Sequence, residues 1–171
     1  PALRAKMAGA DSGLVQMSRE LRGNINRLSD SNIDTIFELI EALFSKYPRK
    51  AVNDELVKFL LDDCAAAVGG ATVFTFAPTY SALTMMLHLT VGAEVGGTVV
   101  QGTARELQKR LHANEVAVLR NLLLMFINFY NYSVIHCSML YDIIRQLVEH
   151  LNEQNVDLLL MVIQKCGDQL R

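Results

Sequence analysis

The residues able to do chemistry are few and scattered. The chain carries four histidines, His88, His112, His136 and His150, and no two of them share the i, i+4 spacing that puts paired ligands on one helix face. His136 and Cys137 are adjacent, so on a helix they point about 100° apart and do not share a metal. Cys64, Cys137 and Cys166 form no C-x-x-C pair and sit in apolar surroundings, which reads as buried free thiols in a reducing compartment. Asp62-Asp63 reads as a solvated helix face rather than a general acid/base pair. Gly92, Gly96 and Gly97 fit neither the P-loop nor the dinucleotide pattern, and a helix break or close helix packing explains them better. No serine stands in a nucleophile-elbow context. The expectation is therefore a protein that is not an enzyme, with no metal, no cofactor and no small-molecule substrate.

Basic residues supply the remaining candidates. Arg19, Arg22 and Arg27 lie on a broad face of the first helix; Lys46, Arg49 and Lys50 flank Pro48; Arg105, Lys109 and Arg110 crowd the end of the fifth. Each group could meet phosphates, and each also suits a solvated helix C-terminus, where the dipole favours cations. Phe129, Tyr130 and Tyr132 cluster near a helix–helix turn and read first as packing.

The elements that position these residues are helical throughout. Leu14, Met17, Leu21, Ile25 and Leu28 line one face of a helix over about 11–28. Ile33, Ile36, Phe37, Ile40, Leu43 and Phe44 line a second helix that ends before Pro48, and Asn32 stands at its cap position. A third spans about 52–68 and stops at Gly69-Gly70. Residues 71–76 alternate like a strand but lack a partner strand, so a helix opening at Pro78 is preferred. A fifth covers about 95–111, Asn114 caps a sixth, Ser133 opens a seventh, and Asn152 opens an eighth. Residues 65–93 lack any charged side chain, yet Gly69-Gly70, Pro78 and several hydroxyl residues make a loop and a buried helix better than a membrane span.

These lengths give about four helical hairpins spaced by roughly 40 residues, the range of HEAT-type repeats. The fold class is all-α, a HEAT-like solenoid of about four antiparallel helix pairs, with an irregular helical bundle as the alternative. Residues 1–10 read as an N-terminal extension and 11–171 as one domain, in line with a length of 171 residues. A first residue of Pro rather than Met fits a piece excised from a longer protein. At 51% hydrophobic and 20% charged, disorder is excluded as the main state, and a net charge of -2 argues against a strongly basic nucleic-acid module.

Several segments resemble one family. Residues 21–28, Leu-Arg-Gly-Asn-Ile-Asn-Arg-Leu, followed by Asn32-Ile33, are similar to the opening of the middle domain of eukaryotic initiation factor 4G, the MIF4G domain. Residues 131–140, with Val134 and His136, and residues 156–167, ending Lys165-Cys166-Gly167, resemble later parts of it. Residues 45–50 with Asn53-Asp54, and residues 90–96, resemble the nucleolar branch rather than the splicing or translation branches.

The resemblance implies a scaffold that binds and stimulates a DEAD-box RNA helicase of the initiation-factor-4A type, in processing of small-subunit ribosomal RNA precursors in the nucleolus. It implies a helicase contact at Asn26 and Arg27, where Arg replaces the usual Lys, with Asn32 beside them as a candidate partner-binding residue and helix cap. It also implies one or two further terminal helices. Such a scaffold would hold the helicase lobes half closed and raise the population of the ATPase-competent geometry without donating catalytic groups. Arg22, Lys46, Arg49 and Lys50 are the candidates for RNA or further partner contact. The alternative functions are a direct RNA-binding helical module or the MIF4G domain of a splicing or translation factor; RNA is expected to be met indirectly or weakly, and membranes are not an expected partner.

Overall fold

The computed structural model describes residues 2–66, 73–111 and 115–170. The described residues form eight α-helices and a closing 3-10 turn: α1 (Ala2–Ile25), α2 (Ile33–Lys46), α3 (Arg49–Ala66), α4 (Val73–Thr90), α5 (Ala93–Leu111), α6 (Val116–Asn131), α7 (Cys137–Glu149), α8 (Glu153–Cys166) and the turn Gly167–Gln169. They stack in two layers. α1, α3 and α5 lie side by side in one; α2, α4, α6 and α8 lie side by side in the other; α7 rests on α6 and α8. This order is that of a HEAT-like solenoid, in which each hairpin buries its apolar face on the next.

The pattern of each helix fits its place. α2 is a surface helix with one apolar stripe, and Ile36, Ile40, Leu43 and Phe44 are buried while Asp34 and Glu38 face solvent. α6 is apolar on every side, and every residue from Asn121 to Ile127 is buried. It touches α3, α4, α5, α7 and α8, so an all-round apolar surface is what its position demands.

Several sequence expectations need correction. The first helix starts at Ala2 and ends at Ile25 rather than spanning 11–28. Leu28 stays buried in the following turn, where its N–H bonds the Ile25 carbonyl at 3.0 Å. Pro78 does not open α4 but lies inside it, a turn beyond Val73. Interior proline forfeits a backbone bond, but Ala77 and Tyr80 beside it are buried, and that packing holds the extra turn in place. Residues 73–76, whose alternation suggested a strand, are helical, as preferred.

Ser133 closes the sixth helix instead of opening the seventh. Its φ is 59°, its N–H bonds the Tyr130 carbonyl, and the Val134 N–H bonds the Phe129 carbonyl at 2.8 Å. Those two bonds are the Schellman closure with Ser133 in the left-handed position that glycine usually takes. α7 starts four residues later, capped by the His136 ring, which accepts from the Ser138 N–H. Asn152 caps α8 as expected, accepting from the Asn155 N–H at 2.8 Å. The Gly69-Gly70 stop, residues 71–72, His112 and the Asn114 cap lie outside the described residues. None of the described helices is long and apolar enough to cross a membrane.

Candidate partner-binding surface

The turn between α1 and α2 is held by side chains rather than by packing alone. Asn32 is at the cap position of α2, but its side chain makes no cap bond. It bridges the turn instead: its Oδ1 accepts from the Ser29 N–H at 2.8 Å and its Nδ2 donates to the Arg27 carbonyl at 2.7 Å. The expected capping role is thereby corrected, because both polar atoms of the amide are already engaged across the turn. Arg27 folds back over the end of α1, donating to the Gly23 carbonyl at 3.0 Å and to Asn24 Oδ1 at 2.8 Å. A cation is favoured there by the helix C-terminus. Asp30 accepts from the Thr79 hydroxyl and ties the turn to α4. Asn26 stays exposed at the tip.

Beside this turn, α1 and α2 enclose a groove of about 430 Å³. Arg19, Arg27 and Lys46 supply its positive charge, Glu20 its negative charge, and Leu39 its apolar rim. Lys46 pairs with Glu20 at 3.5 Å and lies over the Tyr47 ring at 4.8 Å. Tyr47 first, and then Glu20, hold the Lys46 ammonium above its ordinary pKa.

Thus Asn26, Arg27 and Asn32 come together at the turn, and Lys46, at the far end of α2, shares with Arg27 only the groove that runs between the two helices. The other candidates do not join them. Arg22 stacks over Phe59 of α3 at 5.2 Å. Arg49 donates to the Val91 carbonyl at 2.6 Å, which locks the start of α3 to the end of α4. Lys50 is exposed on the first turn of α3. Sequence reasoning missed Asn24, whose buried side chain anchors Arg27, and Leu39, an exposed leucine beside the α2 stripe. Leu39 was detectable as an apolar residue off the face its neighbours share.

The segments 45–54 and 90–98 meet each other. Besides the Arg49–Val91 bond, Asn53 Nδ2 donates to Thr98 Oγ1 at 3.0 Å. Gly92 turns the chain at φ 141°, and Gly96 is packed so closely that a Cβ there would lie 2.5 Å from His88 Nδ1. Gly92 and Gly96 therefore serve chain reversal and close packing, while Gly97 faces open space.

Elsewhere, titratable groups serve the fold. Tyr80 donates to Asp63 at 3.0 Å, and burial first, then Asp63, pushes the phenol well above its usual range. Lys109 and Arg110 pair with Glu106, and Arg110 also with Glu115. Cys64 and Cys166 are buried, but Cys137 is only half-buried, which corrects the reading of three buried thiols. Its place at the exposed start of α7 is the reason. Burial pushes the Cys64 thiol up to about 12. Among the described residues no group of three or more His, Cys, Asp or Glu could hold a metal ion.

The family model for the MIF4G domain matches residues 18–171. The chain is 30% identical over 180 residues to suppressor of glycerol defect protein 1 of Schizosaccharomyces pombe, covering all of this chain and 23% of that protein. It is 30% identical over 159 residues to nucleolar MIF4G domain-containing protein 1 of Mus musculus, covering 92% of this chain and 18% of that protein. It is 30% identical over 181 residues to the Drosophila melanogaster homolog, covering 99% and 21%. The chain thus spans about a fifth of the length of the curated relatives it matches.

Proposed function

The chain belongs to the MIF4G domain family of helical scaffolds, and from that membership we propose that it binds and stimulates a DEAD-box RNA helicase of the initiation-factor-4A type. It acts in the nucleolus, the compartment that the names of its relatives carry, and its role in processing of the small-subunit ribosomal RNA precursor is part of the same proposal. The observation that carries the reading is the braced turn after α1. Asn26 is exposed at its tip, and Arg27 is held beside it by Gly23, Asn24 and Asn32. A surface fixed before binding loses little entropy on docking. The adjoining groove, with three cations against one carboxylate, favours an acidic face on the helicase.

Stimulation in this reading is conformational. Contact with two helicase lobes raises the population of their productive orientation, and the gain is bounded by the difference in affinity for open and closed forms.

A pull-down tests it. Immobilised wild-type chain captures a purified helicase of this type, and the double variant Asn26→Asp, Arg27→Glu captures markedly less at equal loading. Full capture by the folded double variant would sink the site assignment.

A further inference from the structure

The layer of odd-numbered helices is interrupted. α1 packs beside α3 and α3 beside α5, yet α5 and α7 hardly touch, although both rest on α6. The gap between them is a cleft floored by Phe126 of α6. One end, about 170 Å³, is mostly apolar, with Leu107 of α5 opposite Met139 and Ile143 of α7. The other end, about 620 Å³, opens among the last turns of α5 and α7 and the first turn of α8. Gln108, Gln146, Gln154 and Glu149 wall it. Gln108 and Gln146 line both parts, which makes them one continuous cleft.

The lining selects an occupant. A carboxamide carries a donor and an acceptor side by side, the same pair that each peptide unit presents. Glutamines along a cleft therefore hold extended backbone with little regard for its sequence, while the apolar end takes one side chain. The formally charged lining groups are Asp142 and Glu149, and no Lys or Arg is among the described lining residues. Asp142 is paired with Arg145 at 3.2 Å. The C-terminal turns of α5 and α7 add partial negative charge at the larger end and the first turn of α8 partial positive charge, which leaves Glu149 as the formal charge that decides there. Phosphate backbones are disfavoured by this wall and a basic side chain is welcomed.

We propose that the α5–α7 cleft binds an extended peptide segment of a partner protein: one apolar side chain against Leu107, Met139 and Ile143, backbone on Gln108 and Gln146, and a Lys or Arg beside Glu149. The surface is separate from the α1–α2 groove, so the chain can hold two partners at once.

Panning phage-displayed random dodecapeptides against the 171-residue chain tests this, followed by fluorescence anisotropy on the enriched sequence. The enriched peptides should carry an apolar residue close to a Lys or Arg. Affinity should fall about tenfold, ~1.4 kcal/mol, in Gln108→Ala with Gln146→Ala, and again in Glu149→Lys. These side chains are exposed, and an unchanged helical circular-dichroism spectrum confirms that the variants fold. The Asn26→Asp, Arg27→Glu variant should bind the peptide as the wild type does. The proposal is overturned by no enrichment over blank, by peptides whose affinity ignores these substitutions, or by enriched sequences with the apolar i, i+3, i+4 spacing of a docked helix.

Discussion

Asn32 joins the Arg27 carbonyl and the Ser29 amide through one side chain. Each such bond contributes about 0.5–1.5 kcal/mol, so Asn32→Ala should cost about 1–2 kcal/mol in urea unfolding and weaken helicase capture. Asn32→Asp keeps the acceptor for Ser29, loses the donor to Arg27, and should fall between. Ser133 offers the opposite case. Its left-handed conformation (φ 59°) costs an L-residue about 1 kcal/mol or more, so Ser133→Gly should raise the melting temperature. The thiols should separate in alkylation followed by peptide mass spectrometry. Cys137 is half-buried and should label first at mild pH; Cys64, with its thiol raised to about 12 and its side chain buried, should label only on unfolding. Labelling of Cys64 ahead of Cys137 in the native state would contradict the packing described. At this scale the sequence showed which residue types were present but not their partners. Asn32 looked like a cap because asparagine before an apolar run usually is one; that its amide reaches back to Arg27 depends on the path of the turn, which no local pattern encodes.

Between elements, α4 and α5 meet where His88 approaches Gly96. Gly96→Ala would set a methyl group 2.5 Å from a ring atom and should destabilise by about 1–3 kcal/mol. Gly97→Ala, in open space on the same helix, should stabilise by up to about 1 kcal/mol. Thermal melts of the pair separate packing from helix propensity. Losing the Arg49–Val91 bond in Arg49→Ala should cost about 1 kcal/mol. Most helices were legible because their apolar periods matched the faces they bury, as in α2. The exceptions lie at ends. Pro78 read as a start because proline suits a first turn, whereas the burial of Ala77 carries α4 past it. Ser133 read as a start because serine caps N-termini, whereas the Schellman bonds that make it an end involve Phe129 and Tyr130.

For the whole molecule, a net charge of -2 means that little phosphate neutralisation is available. Several cations are also spent inside the fold: Arg22 on Phe59, Arg49 on Val91, and Arg110 on Glu106 and Glu115. RNA affinity of the chain alone should be weak and should change little between low and moderate salt, whereas a direct RNA binder would lose affinity steeply. The two-layer stack followed from helix length and spacing, but the break between α5 and α7 did not, since both helices carry ordinary amphipathic patterns. Titration calorimetry of a purified initiation-factor-4A-type helicase into the wild-type chain and into the Asn26→Asp, Arg27→Glu variant tests the helicase-scaffold reading most directly. Saturable binding to the wild type, weakened about tenfold or more in the variant (~1.4 kcal/mol), is the expected result; no heat with the folded wild type, or equal affinity for both, would contradict it.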